Sequence, residues 1–186
     1  MLKNIISFVL ILFALSACTQ KEKQEEKKNE SNVTKFKISF IDSIEVREGL
    51  APNFYWKDSS GRLQAFDNVH NKITIVNFWA TWCSPCRREI PDLIAINREM
   101  APKGVKVIGV STDKGANVIS DVDEFVRENN IDYPIVIDNG KLAEAYGNVR
   151  GLPTTFLIDE KRNVVRKFLG IRTKEFFISQ IEEIIK

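Results

Sequence analysis

The residues best placed to do chemistry are Cys83 and Cys86, separated by Ser84 and Pro85. They lie between a β-rich apolar run, Ile73 to Trp79, and a segment with helical periodicity, Ser84 to Met100. In an open α/β sheet, sites form at the carboxyl ends of the strands. Cys83 is expected at the helix N-terminus, where unpaired N–H groups and the positive end of the helix dipole stabilise a thiolate. Cys86 follows one turn later, close enough to close a disulfide back to Cys83. Pro85 suits an early helical position, because its missing N–H would have been unpaired there. The expected arrangement is an exposed nucleophile, a buried resolving thiol and a reversible disulfide.

Other uses of the pair fit the chain less well. A structural disulfide over two residues would staple very little. A zinc site needs a second ligand pair, and the chain has only three Cys and one His. Covalent haem attachment needs a His after the second Cys, where Arg87 stands. His70 lies in the polar stretch Asn68-Val69-His70-Asn71 and reads as a loop residue. No metal and no organic cofactor is expected.

The elements that must position the pair follow from the patterning. Phe36 to Phe40 alternates like a half-buried strand. Ala51 to Trp56 and Leu63 to Phe66 flank the turn cluster Asp58-Ser59-Ser60-Gly61 and predict a hairpin. Ile73 to Trp79 reads as a central strand covered on both faces. Further strands are expected at Val105 to Val110, Ile135 to Ile137, Thr155 to Ile158 and Val164 to Leu169. Helices are expected at Val118 to Asn129, Lys141 to Tyr146 and Glu175 to Ile185. Strands alternating with helices imply a largely parallel sheet, and the final hairpin makes it mixed.

Ahead of this domain lies a different kind of sequence. Met1-Leu2-Lys3-Asn4 is a short basic start, and Ile5 to Ala17 is apolar apart from Ser7 and Ser16. The run is shorter than the ~20 residues of a membrane span and has the shape of a secretory signal. Leu15-Ser16-Ala17-Cys18 resembles the lipobox of bacterial lipoproteins, which implies cleavage before Cys18 and lipidation of its sulfur and amine. Thr19 to Asn32 contains no apolar residue and mixes four Lys with four Glu, the composition of a solvated tether. The expected organisation is a signal peptide at 1–17, a lipidated Cys and charged tether at 18–33, and one α/β domain at 34–186.

Composition narrows the function classes. Of 186 residues, 44% are apolar and 28% charged, too apolar for a wholly disordered chain. With 27 Lys and Arg against 25 Asp and Glu, no positive surplus points to nucleic acid.

Asn77-Phe78-Trp79-Ala80-Thr81-Trp82-Cys83-Ser84-Pro85-Cys86-Arg87-Arg88-Glu89-Ile90-Pro91 resembles the active-site segment of thioredoxin-fold proteins, nearest to the TlpA/ResA-like membrane-tethered thiol–disulfide oxidoreductases. Gly151-Leu152-Pro153-Thr154-Thr155-Phe156 resembles their cis-proline loop, and Gly170 also matches the thioredoxin pattern. The resemblance spans about Ala51 to Lys186, and Val105 to Asn130 corresponds to an extra strand–helix unit shared with peroxiredoxin-like proteins. It implies a thioredoxin fold with an N-terminal hairpin. It implies that Cys83 attacks, that Cys86 resolves the mixed disulfide, and that Pro153 is cis and faces the pair. The backbone of Leu152 would then pair with an extended client, and Trp82 would shield the thiol and touch substrate. Glu89 matches an acidic residue of the group that tunes the thiols or shuttles a proton. Asn77 departs from thioredoxin, which has a buried Asp there. Pro91 and Trp79 read as structural.

The implied activity is an extracytoplasmic, lipid-anchored protein-disulfide reductase. Its partners would be an oxidised client, such as the C-x-x-C-H of apocytochrome c, and a membrane thiol electron donor. A monomer is expected. The same residues run backwards would make a disulfide-forming oxidant. Ala51-Pro52-Asn53-Phe54 and the extra unit also keep a peroxiredoxin-like thiol peroxidase in view.

Overall fold

A computed structural model describes residues 38–58 and 60–185. The signal sequence, Cys18, the tether and the first residues of the expected Phe36 to Phe40 strand lie outside the described residues. The elements run β1 (Ser39–Glu45), β2 (Asn53–Lys57), β3 (Leu63–Ala65), α1 (Phe66–Val69), β4 (Ile73–Trp79), α2 (Ser84–Glu99), a 3-10 turn (Ala101–Lys103), β5 (Val105–Ser111), α3 (Val118–Glu128), β6 (Ile135–Ile137), α4 (Lys141–Ala145), β7 (Thr154–Asp159), β8 (Val164–Leu169) and α5 (Lys174–Ile184).

The strands form one sheet in the order β3-β2-β1-β6-β5-β4-β7-β8. The pairs β1–β6, β6–β5 and β5–β4 are parallel, and the remaining four are antiparallel. The sheet is therefore mixed, with its parallel part in the middle. The N-terminal hairpin joins this sheet through β1, which pairs with β6 on one side and β2 on the other.

Every residue of β4 is buried. Alternate side chains of a strand point to opposite faces, so one apolar run feeds two cores. Ile73, Ile75 and Trp79 pack with Ile90, Leu93 and Ile96 of α2, Val122 and Phe125 of α3, and Phe177 and Ile181 of α5. Val76 and Phe78 pack on the opposite face with Phe54, Phe66, Leu142, Tyr146 and Phe156. Full burial of each large side chain contributes about 1.5–3 kcal/mol, so the two layers hold the sheet rigidly between them.

Three local readings need correction. Among the described residues the first strand runs past Phe40 to Glu45, and it does not bury a single face. Ile38 enters one core and Ile41 the other, because β1 is an interior strand of the sheet. Phe40 stays 45% exposed beside Val118 and Ile119, at the start of α3 where helix cover ends. Phe66 is the first residue of α1 rather than the last of a strand, and Asn68 and Val69 share that single helical turn.

Arg162 fastens the hairpin to the β7–β8 turn. It is 6% exposed and has a left-handed backbone, φ 67°. Its guanidinium donates to the Ala51 carbonyl and to both carboxylate oxygens of Asp67, while its own carbonyl accepts from the Ala51 N–H.

Candidate active site

The chain leaves β4 at Trp79 and enters α2 at Ser84, and the four residues between are held from β5. The Thr112 N–H and hydroxyl both donate to the Trp79 carbonyl, at 2.8 and 3.1 Å. The Asp113 carboxylate accepts the Thr81 N–H at 3.0 Å, the Thr81 hydroxyl at 2.6 Å and the Ser111 hydroxyl at 2.8 Å. A buried carboxylate taking three donors fixes a loop firmly, since each bond to a charged group contributes about 1.5–3 kcal/mol. Sequence reasoning missed Asp113. The available signal was its place just past the carboxyl end of a buried strand beside β4, where sites form in α/β sheets.

Cys83 is the N-cap of α2, and its Sγ accepts the Cys86 N–H at 3.3 Å. The two cysteines are joined as a disulfide, with Cα atoms 5.2 Å apart. Pro85 sits in the first turn, where a missing N–H costs nothing. The expectation of an exposed nucleophile needs correction: Cys83 is only 4% exposed and Cys86 1%. Its sulfur is turned back over the helix end toward Cys86, so little surface remains while the disulfide is closed. The neighbouring Trp82 is 71% exposed. Pro91 lies inside α2 and faces outward.

Glu89 is three residues after Cys86, so the two share one face of α2, and both are buried. Its carboxylate accepts the Asn77 side-chain N–H at 3.0 Å and the Arg172 backbone N–H at 2.8 Å. The other Asn77 N–H donates to the Thr155 hydroxyl at 2.9 Å. With Glu89 1% exposed, burial pushes its carboxyl up to about 7, and the bonds from Arg172 and Asn77 offset only part of that. The buried carboxyl therefore stands on the helix, and Asn77 on the strand orients it. Thr155 and the Arg172 amide are partners that only the fold brings near.

Gly109 of β5 pairs with Asn77 across the sheet, and a side chain there would collide with Ile135 Cδ1 and meet Trp79 Nε1 at 3.0 Å. Glycine lets Trp79 and Tyr133 close over the sheet beside Asn77. The Trp79 indole N–H and the Tyr133 hydroxyl are buried without a hydrogen-bond partner. Burial pushes the Tyr133 hydroxyl above its ordinary range, and the Glu89 charge adds to that.

The Leu152–Pro153 peptide bond is cis. Pro153 is buried, and its carbonyl accepts the Gly170 N–H at 2.8 Å. Leu169 Cδ1 lies 2.7 Å from where a Gly151 Cβ would be, so the chain passes this point without a side chain. Leu152 lines a cleft of about 1000 Å³ together with Trp82, Cys83 and Pro85. The fold thus gathers Trp82, Cys83 and Leu152 at one opening, with Cys86 and Glu89 on the buried face of α2. His70 is elsewhere. Its ring nitrogens face the Asp67 and Glu160 carbonyls at 3.0 and 3.1 Å, and it stacks on Phe66. Cys18 lies outside the described residues.

Comparisons with known proteins agree with this geometry. Residues 48–167 match the model of the AhpC/TSA family. A thiol–disulfide oxidoreductase ResA of Bacillus cereus is 32% identical over 146 residues, covering 78% of this chain and 83% of that protein. ResA of Geobacillus thermodenitrificans is 35% identical over 147 residues, covering 78% and 82%. A thiol:disulfide interchange protein of the thioredoxin family from Chlorobium tepidum superposes with a TM-score of 0.66 at 29% identity, over 76% of this chain and 99% of that one. The exposed lipoprotein thioredoxin Etrx1 of Streptococcus pneumoniae superposes with a TM-score of 0.61 at 27% identity, over 70% and 98%. The disulfide at the helix N-cap, the cis-proline loop and these relatives agree, and the chain belongs to the ResA-like thiol–disulfide oxidoreductases of the thioredoxin superfamily.

Proposed function

We propose that this oxidoreductase works as a membrane-tethered reductase of protein disulfides outside the cytosol. The observation that carries the reading is the Cys83–Cys86 disulfide with Cys83 lining a cleft, backed by a buried carboxyl pushed up to about 7. In the reduced form, the Cys83 thiolate attacks one sulfur of a client disulfide. The client S–S bond breaks, and its second sulfur leaves as a thiolate that takes up a proton. Glu89 then accepts the proton of Cys86. The Cys86 thiolate attacks Cys83, releases the client's other thiol and closes the Cys83–Cys86 disulfide. Two electrons have passed to the client, and a thiol donor at the membrane restores the dithiol.

Trp82 and Leu152 flank the attacking sulfur and are assigned to client contact, with Pro153 fixing the Leu152 backbone for strand-like pairing. No metal or organic cofactor enters the cycle. The lipobox-like Leu15-Ser16-Ala17-Cys18 supports anchoring through Cys18, and a lipoprotein thioredoxin among the structural relatives points the same way. Among the described residues no helix is long and apolar enough to cross a membrane. A C-x-x-C-H disulfide of an apocytochrome c is the client class we favour, and the working unit is a monomer.

The reading is tested by equilibrating the full-length chain in detergent against dithiol–disulfide buffers. A potential near the thioredoxin value, about −270 mV, supports a reductase. One near −120 mV would make it a disulfide-forming oxidant. A Cys86→Ala variant should accumulate a mixed disulfide through Cys83 with an oxidised C-x-x-C-H peptide. A second reading, a thiol peroxidase, is favoured by the AhpC/TSA match, and turnover of hydrogen peroxide by the reduced chain decides it.

A further inference from the structure

We infer that the cleft beside Cys83 selects client segments that carry carboxylates next to the reacting disulfide. The inference rests on the protein-disulfide reductase reading and adds a charge preference to it. The cleft has an apolar end, where Trp82 and Leu152 flank Cys83, and a charged wall that contributes Lys114 and Arg150. Lys114 lies three residues past the end of β5, next to Asp113, and Arg150 precedes the cis-proline loop, so both stand on loops that border the site. Arg88 adds a third cation at the rim, donating to the Ser84 hydroxyl of the lining at 2.9 Å.

All three side chains are exposed. Eight ion pairs occur among the described residues, and none includes Lys114, Arg150 or Arg88. Their charge is therefore available to an occupant. The lining carries two acids, Asp138 and Glu144. Asp138 is 4% exposed, and its two oxygens accept the Leu142 and Ala143 N–H groups at the start of α4. That leaves Glu144 as the one exposed carboxylate of the lining, against Lys114 and Arg150 in the lining and Arg88 beside it. An occupant therefore meets a positive wall.

A guanidinium offers paired donors that match a carboxylate, and an ammonium offers a compact charge. Complementary charge at a docking site raises the encounter rate and penalises the wrong partner. The bond chemistry at Cys83 is the same for every client. The wall decides which segments dwell long enough to react.

The test uses the full-length chain in detergent, reduced beforehand, and three synthetic peptides. Each peptide has one internal disulfide and the same apolar residues, with flanking Glu, Gln or Lys. Oxidation of the Cys83–Cys86 pair is followed by stopped-flow fluorescence. The Glu peptide should react roughly tenfold faster than the Lys peptide at low salt. The gap should close in about 1 M salt, where the screening length is about 3 Å. Lys114→Glu combined with Arg150→Glu should reverse the order. Both positions are exposed, so the variant keeps its core. Glu144→Gln should widen the original gap. Equal rates for the Glu and Lys peptides, or an unchanged order in the double variant, overturn the charge preference. Failure of all three peptides to react overturns the reductase reading instead, and the preference with it.

Discussion

The two faces of β4 carry opposite chemistries, although both are drawn from alternate residues of one seven-residue run. On one face Asn77 stands between Ile75 and Trp79, holds Glu89, and lies under the helix that bears the cysteines. On the other, Val76 and Phe78 meet an aromatic cluster in which Phe78 lies edge-on to Tyr146 and Phe156, at 5.3 and 5.8 Å between ring centres. The first face gives up apolar contact to keep one titrating group inside the protein. The second supplies stability and touches no reacting atom. The stability of the one face permits the cost of the other.

Deleting the anchor of the apolar face should have the largest effect. Phe78→Ala removes a fully buried ring and should cost about 3–5 kcal/mol in urea unfolding. The reduction potential of the Cys83–Cys86 pair should not move, because no group near the disulfide changes. A shifted potential would mean that the two faces are coupled.

Glu89→Gln sharpens the contrast from the other side. The Glu89 carboxyl titrates near 7 in the fold against an ordinary value of 4.5. Ionising it therefore costs more in the folded than in the unfolded chain. Its contribution to stability is complete below the unfolded value and is lost as pH rises through the folded one. The wild type should lose up to about 3 kcal/mol between about pH 4.5 and pH 8 from this group. Urea midpoints of the Gln variant should show no such loss. The pH–rate profile of thiol–disulfide exchange should also lose its inflection near 7.

Asp113→Ala strips the Thr81 N–H and hydroxyl of their acceptor. It should cost about 1–3 kcal/mol and speed hydrogen exchange at the Thr81 amide. Slower thiol–disulfide exchange should accompany it, since that loop carries Trp82 and Cys83. Tyr133→Phe should do least. The hydroxyl it removes is buried and bonded to nothing, so stability should stay within about 1 kcal/mol of the wild type by thermal unfolding. A larger loss would show that the hydroxyl helps support the carboxyl of Glu89.

What could be read from sequence follows from what is local. The run Ile73 to Trp79, the spacing of Cys83 and Cys86, and Val122 with Phe125 and Val126 each state their own geometry within a few residues. So does the Leu152-Pro153 pair, once its motif is recognised. What escaped depends on distant partners. Asp113 is 32 residues from the Thr81 it holds, and Arg162 is 111 residues from Ala51. Nothing near Phe40 marks it as exposed, because its surroundings are set by where α3 begins. Glu89 was legible as a candidate. Its burial was not, since that needs Arg172 to arrive from the far end of the chain.

The borders of the sheet also matter for a protein that exchanges disulfides with other proteins. A long, flat border strand would offer its unpaired N–H and C=O groups to any extended polypeptide, including another copy of the same molecule. Here one border, β3, is only three residues long. The other, β8, carries Arg166 and Lys167 at its centre and a register shift opposite Leu157 and Ile158. Both are poor templates for cross-β growth. At high local concentration the molecule therefore keeps its own sheet borders from seeding aggregates.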